Sequence, residues 1–438
     1  MPERTCTLIL MDPKLTGLWR HPNFLKLWGG ETISLLGSRI SSVALPLTAA
    51  LTLHASPLQM GLLGMVSVPS VLLGPFLGVW VDRSRRRPLL IGVSLGRVLI
   101  LATVPVAALV HLLTLAQLYV VFALHDILSN ASGAAYRPFL SMLLTPDELV
   151  EGNSKMEMSS AVATIVGPGL AGIVVQALTG PFAIALDAAS YLVTSLTLAL
   201  IRIPTDTPVR PSDHSGVLAD VGEMLGTIRG SPILRAMAGT GSALLLFQGF
   251  GLATYVLYLT RDLRLAPREV GLLYTVGGAG ALAGALLAGR LTEQLGVGPA
   301  IVASLLLTSI SSLLVPLAGS SPFTASLVVI LFLATAQFLQ GASLTVYYIN
   351  WYSLSQVVVP HYLLGRFTAT MGTLVFSAQP VGALVAGALS SLISLKATLL
   401  AATIILCLMS LRLLRSPLQR VRELTDSGEN SLTATRTH

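Results

Sequence analysis

Long apolar runs separated by short polar turns make up most of this chain. They fall near residues 27–51, 59–81, 89–111, 117–140, 158–178 and 182–201, then near 236–259, 269–291, 299–318, 323–347, 367–392 and 397–414. A helix needs about 20 apolar residues to cross a hydrocarbon core about 30 Å thick, so each run can span. A bilayer excludes open strand edges, and all twelve are therefore expected to be helices. Composition agrees: of 438 residues 53% are hydrophobic and only 11% charged, with a mean hydropathy of +0.78, whereas soluble domains carry about 25% charged residues. The expected fold class is an all-α polytopic membrane protein with twelve transmembrane helices.

The polar turns orient the bundle. Gly78–Pro88 reads G-V-W-V-D-R-S-R-R-R-P, a basic turn between two apolar runs, and such turns accumulate on the cytoplasmic side. The turns after the first, third, fifth and ninth runs lack Lys and Arg. Only Arg261, Arg264, Arg268 and Lys396 fall in the outer loops. Both termini are thus expected in the cytoplasm. Trp19, Trp28, Trp80 and Trp351 fall at expected cytoplasmic ends, as an interfacial belt would. Leu15–Lys26, with Trp19, Arg20, Phe24 and Lys26, reads as an interfacial helix. The opening Thr5–Met11 is too short for a signal-peptide core, and Met1 and Met11 both stay open as the start.

The chain also repeats. Gly78-x-x-x-Asp82 is echoed by Gly289-x-x-x-Glu293 at 211 residues, and Pro168 by Pro380 at 212. Pro146 and Gly152 are echoed by Pro360 and Gly365 at 214 and 213. Six helices per half give both copies one orientation, with an axis along the membrane normal. The expected organisation is a cytoplasmic segment 1–26, a six-helix bundle 27–201, a linker 202–235, a second six-helix bundle 236–414 and a cytoplasmic tail 415–438. In the linker Val217, Leu218, Val221, Met224, Leu225 and Ile228 recur at helical spacing, which predicts an amphipathic helix on the cytoplasmic surface.

Gly78-Val-Trp-Val-Asp82-Arg83-Ser-Arg-Arg86-Arg87 resembles the loop signature of the major facilitator superfamily, G-x-L-a-D-R-x-G-R-[RK]. Gly289-Arg290-Leu-Thr-Glu293 resembles its second copy, and Gly167-Pro168-Gly-Leu-Ala-Gly172 the helix 5 motif of the family's antiporters. F-L-K-L-W-x-G, T-P-D-E-L-V-E-G-N and L-L-G-R-F are similar to the bacterial branch of macrolide-efflux and enterobactin-export proteins. The resemblance covers about residues 20–415. It implies two pseudo-twofold-related six-helix bundles and alternating access. Gly78, Asp82, Arg83, Arg86 and Arg87 would form a cytoplasmic gating motif, with Asp82 facing the start of helix 11 near Arg366. Two departures stand out. Arg85 and Trp80 replace the signature's internal Gly and Leu, and Ile127 stands where the superfamily places a helix 4 arginine.

No G-x-x-x-x-G-K-[ST] occurs around the four lysines, which argues against ATP hydrolysis, and no His or Cys grouping has metal spacing. No enzymatic activity, metal or cofactor is expected. The net charge of +7 is spread over the ends of runs rather than gathered on one soluble face, which excludes nucleic acid as a partner. Intramembrane charge is expensive and by default functional. Glu31, Arg39, Arg97, Asp126 and Asp187 are the candidates, all in the first half. At 1.5 Å per residue, Arg97 lies about 12 Å from one membrane edge and Asp126 about 14 Å from the other, so the two can pair. Either these charges lock the first bundle together, or Glu31 or Asp126 binds a proton or a cationic substrate. Asp187, on helix 6, is peripheral by resemblance and is expected to pack. In the second half Gln248, Gln337, Gln340, Asn350 and Gln379 provide neutral hydrogen-bonding groups for a substrate wall or for helix–helix bonds.

The expected function is a secondary transporter of the bacterial inner (cytoplasmic) membrane. It would export an amphipathic, drug- or macrolide-like molecule by proton antiport, with the proton gradient as energy source, the small molecule and the bilayer as partners, and a monomeric state. A siderophore or lysophospholipid cargo, an uptake symporter and a non-transporting receptor or scaffold are the alternatives.

Overall fold

The structure is a computed structural model that describes residues 17–201, 226–319, 327–359 and 364–421. The long helices are α1 (Pro22–Leu47), α2 (Pro57–Gly64 and Val68–Asp82, joined by a 3-10 turn), α3 (Arg86–Leu109), α4 (Leu115–Leu143), α5 (Pro146–Leu178) and α6 (Gly180–Ala199). The second half holds α7 (Pro232–Leu257), α8 (Pro267–Leu295), α9 (Val297–Ala318), α10 (Leu327–Val358), α11 (Leu364–Phe376 and Ala378–Leu392) and α12 (Leu395–Leu413). Eleven are long and apolar enough to cross a membrane. The twelfth, α4, carries His125, Asp126, Asn130 and Arg137 within its length.

Starts and breaks follow local chemistry. Pro22 opens α1 at a position whose N–H needs no partner, and His21 Nδ1 accepts from the Phe24 N–H at 3.0 Å. Thr145 and Glu148 form a capping box at the start of α5, so T-P-D-E-L-V-E-G-N is the first two turns of a 33-residue helix rather than a loop before it. Likewise α10 runs eleven residues beyond the apolar run expected to end at 347. The expected interfacial helix over Leu15–Lys26 is replaced by a single 3-10 turn, Leu18–Arg20, leading straight into α1. Most of the expected linker helix, through Leu225, lies outside the described residues.

The sequence repeat extends to backbone detail. α1 ends in a π-turn, Thr48–Thr52, and α7 in another, Tyr258–Asp262, 210 residues later. His54 and Arg264 then both adopt positive φ, 50° and 53°. The Ala55 N–H donates to Ala49 O at 2.8 Å, and the Leu265 N–H to Leu259 O at 2.9 Å.

On the side opposite residues 17 and 421, here the far side, the halves close on each other. α2 meets α11 where a Cβ on Gly61 would lie 3.1 Å from Gly387 Cα, and α5 meets α8 where one on Gly172 would lie 3.0 Å from Gly271 Cα. Buried Leu47, Ala55, Ala171, Tyr258, Leu265 and Val270 join one apolar cluster spanning both halves. On the termini side the clusters separate. Phe24, Leu90 and Phe139 belong to one, and Met237, Tyr347 and Phe367 to another. There Gly74, Gly78 and Gly289 have open space where a Cβ would stand, and Phe76 and Leu286 are each 73% exposed. The halves are sealed at one face and parted at the other.

Replacing Gly172 with Val forces a side chain into the α8 backbone. Overpacking of this kind costs about 1–3 kcal/mol, enough to shift a two-state equilibrium about tenfold. With Gln176→Cys and Arg268→Cys in a background lacking Cys6 and Cys407, disulfide cross-linking across the far side should fall by about that factor on Gly172→Val. Unchanged cross-linking would show that the glycine contact does not hold this face shut.

Candidate functional site

In the first half the structure gathers ionisable groups around Arg97 of α3, which is buried with 7% exposure. Its guanidinium carbon lies 4.7 Å from the centre of the Tyr191 ring on α6. Its charge also acts on Glu31 of α1, His125 and Asp126 of α4, and Asp187 of α6. The expected Arg97–Asp126 ion pair is not formed: among the described residues the ion pairs are Arg86–Asp82 and Lys155–Glu151. The matched depths hold no information about azimuth, and Arg97 turns to an aromatic face instead. Glu31, without an obvious partner in sequence, has Arg97 as its charged neighbour. Arg39 stands apart on the exposed side of α1, where the missing side chain of Gly167 lets α5 pack against Arg39 Cβ.

Asp187 is completely buried. Its Oδ1 accepts from Ser190 Oγ at 3.4 Å, and Gly37 of α1 packs directly over it. The hydroxyls of Ser41 on α1 and Ser190 on α6 both act on this carboxyl, while the buried Arg97 Nε has no hydrogen-bond partner. The side chain is enclosed between helices, as a packing residue would be.

A hydrogen-bond chain runs beside it. Tyr191 OH shares one bond with Ser38 Oγ at 2.8 Å and another with His125 Nε2 at 3.3 Å. His125 is absent from the sequence candidates, although its place in the middle of an apolar run was the available signal. Tyr191 carries no such mark, since tyrosine is common in packed helices.

The loop motif is tied within its own half. Asp82 Oδ1 pairs with Arg86 Nη2 at 3.2 Å, and Arg86 Nη1 donates to Val81 O at 3.2 Å. Arg87 donates to the last carbonyls of α6, Leu198 O at 3.0 Å and Ala199 O at 2.7 Å. A cation there also suits the helix dipole. Arg83 is exposed, as are Gly289, Arg290 and Glu293 of the second copy. Asp82, expected to face α11, instead takes Arg86, the cation one turn away; the Arg366 side chain lies outside the described residues. In the helix 5 motif, Pro168 and Gly172 pack on α8 at the far-side seal. The outer-loop arginines, anomalous by charge, have a place in that seal. Arg261 Nη2 donates to Ala55 O of the first half at 2.8 Å, and the Arg268 N–H donates to Gln176 Oε1 at 3.4 Å.

In the second half a cavity of about 270 Å³ brings together Gln248, Gln337, Gln340 and Gln379 with Tyr255 and Tyr274. Gln340 donates to Ser312 Oγ at 3.0 Å, and the buried Tyr255 interacts with Gln337 through a side-chain hydrogen bond. Asn350 is not part of this wall. It accepts from Thr292 Oγ1 at 2.9 Å and donates to Val346 O at 2.9 Å, a bond between α8 and α10. Trp351, expected at the interface, is buried with its Nε1 donating to Met237 O at 3.2 Å. Among the described residues no group of three His, Cys, Asp or Glu side chains is placed to hold a metal ion.

Residues 27–255 and 238–436 match the Major Facilitator Superfamily. The chain is 28% identical to the uncharacterized MFS-type transporter YfiS of Bacillus subtilis, over 78% of this chain and 80% of that one. It is 26% identical to the multidrug efflux pump Tap of Mycolicibacterium fortuitum, over 94% and 98%, and 23% identical to macrolide efflux protein A of Streptococcus pyogenes, over 88% and 94%. A solved structure of a bacterial homologue of the iron transporter ferroportin, in its inward-facing state, superposes with a TM-score of 0.68. That likeness is at 18% identity and covers 89% of this chain and 98% of the other.

If Arg97 balances the buried acids, Arg97→Gln should lower the denaturation temperature of the detergent-purified protein, and adding Asp187→Asn should restore part of the loss. Groups in one electrostatic network couple by about 0.5–3 kcal/mol. Strictly additive losses would show that the two do not interact.

Proposed function

This chain belongs to the Major Facilitator Superfamily, and on that premise we propose that it is an exporter of amphipathic small molecules driven by proton antiport. The observation that carries this reading is the division of chemistry between the halves. Glu31, Asp126 and Asp187 surround one arginine in the first. The second offers a mostly apolar cavity whose wall carries amides and phenols, with no charged side chain among the described lining residues. A mostly apolar cavity with a few amides and phenols suits an amphipathic ligand that carries hydrogen-bonding groups. Carboxylates held inside the membrane and short of ion-pair partners among the described residues suit a proton as their counter-charge. The names of the relatives Tap and macrolide efflux protein A support a drug-like cargo.

With the termini in the cytoplasm of a bacterium, the parted face opens inward and the sealed face outward. Cargo enters from the cytoplasm or inner leaflet and sits at the amide cavity. The halves then rock, so that the glycine seal opens while the termini side closes. In that closed form Asp82 leaves the turn it shares with Arg86 and meets α11. A proton taken up from outside by Glu31, with Asp126 as the second acceptor, resets the carrier. No bond is made or broken in the cargo, and neither metal nor organic cofactor takes part; the proton gradient supplies the energy. The protein works as a monomer in the bilayer.

In inside-out vesicles with an acidic interior, a fluorescent macrolide should accumulate, and collapsing the pH gradient should abolish the accumulation. Continued uptake would rule out proton coupling. Glu31→Gln should remove the pH dependence of cargo binding, and an unchanged pH profile would move the proton site elsewhere. Asp82→Asn should cut turnover at wild-type expression, and normal turnover would refute the latch.

A further inference from the structure

Next to the amide cavity α7, α10 and α11 form a second, smaller cavity of about 70 Å³, whose wall carries six aromatic rings. Tyr347, Tyr348, Trp351 and Tyr352 come from α10, and Phe367 and Phe376 from α11. Two adjacent pairs spaced four residues apart place the α10 rings on neighbouring turns of one side of that helix. Tyr348 and Tyr352 lie nearly parallel, at 27° with centroids 6.4 Å apart, and Trp351 stands at 89° to Tyr352 at 5.2 Å. The polar atoms of Tyr347, Tyr348 and Trp351 are already engaged. Tyr347 OH donates to Thr240 Oγ1 at 3.3 Å, Trp351 Nε1 to Met237 O, and Tyr348 OH accepts from Gln248 Nε2 at 3.1 Å. No charged side chain is among the described residues that line the cavity.

What such a wall offers is π surface. A hydrocarbon gains only burial from it, whereas a cation also gains about 0.5–1 kcal/mol at exposed rings and about 2 kcal/mol at desolvated ones. A compact, strongly hydrated ammonium such as that of lysine would lose its water without a carboxylate to replace it. An alkylated ammonium spreads its charge over carbon and loses less. We propose that this aromatic cavity binds the alkylated ammonium group of a ligand whose hydrogen-bonding body lies in the amide cavity. Gln248 lines the amide cavity and Tyr348 the aromatic one, so the bond between them is a shared wall. The second clause rests on the export reading; the ammonium site stands on binding alone.

The test uses the full chain in nanodiscs with Trp19, Trp28 and Trp80 replaced by Phe, leaving Trp351 as the reporter. The probe is benzyltrimethylammonium, compared with its uncharged carbon isostere neopentylbenzene. The cation should change Trp351 emission saturably and bind about tenfold tighter than the isostere, equivalent to about 1.4 kcal/mol. Tyr352→Leu should weaken cation binding several-fold, while Tyr352→Phe, which keeps the ring, should retain it. If Tyr352→Leu does not fold, Phe376→Leu provides the same comparison, since both side chains are 46% exposed. Absence of saturation, equal affinity for the two probes, or equal losses with Leu and Phe at position 352 would overturn the proposal. No gradient exists across a nanodisc, so failure of proton-driven transport in vesicles and failure of this site are separate results.

Discussion

Close approach of backbones across the far side is the constraint on which the arrangement depends. Between helices in lipid there is little hydrophobic force, because acyl chains are as apolar as leucine, and association comes from packing and polar bonds. Gly61 against Gly387 and Gly172 against Gly271 bring α2 to α11 and α5 to α8 within backbone contact. Arg261 then reaches Ala55 O across the interface. Contact of this kind is all-or-none: two glycine-lined faces either meet or part. Sealing one face while the other stays open is the bistability that alternating access requires.

Much of the architecture was legible in the sequence because bilayer thickness, backbone satisfaction and the basic-turn bias act on composition and length. The twelve runs became twelve long helices for that reason, and landmarks such as Gly78 and Gly289 revealed the duplication. Errors fell where local chemistry overrides hydropathy. A capping box at Thr145 and Glu148 carries α5 several turns beyond its apolar stretch, and α10 continues through Asn350 because α8 provides Thr292 as its partner.

The candidate site was legible by residue type and less so by geometry. Rarity of charge singled out Glu31, Arg39, Arg97, Asp126 and Asp187, and four of these share one neighbourhood. Depth arithmetic could not choose Arg97's partner, because rotation about the helix axis is invisible to a count of residues along it. His125 and Tyr191 enter through a shared hydrogen bond between α4 and α6, a relation with no short-range sequence trace. Trp351 looked like an interfacial anchor, yet its indole is bonded to α7 inside the bundle.

The two halves share a backbone plan and differ in what they place on it. The π-turns at Thr48–Thr52 and Tyr258–Asp262 repeat at 210 residues, down to the positive φ of His54 and Arg264. At the matching position the first half has Leu51 and the second Arg261, so the bond to Ala55 O has no pseudosymmetric counterpart. The same asymmetry governs the interior, with ionisable groups around Arg97 on one side and glutamines and rings on the other. A symmetric hinge allows both halves to move alike. Unequal contents allow the halves to respond to different things, as the proposed division between proton and cargo requires, and the shared seal is where two such responses would meet.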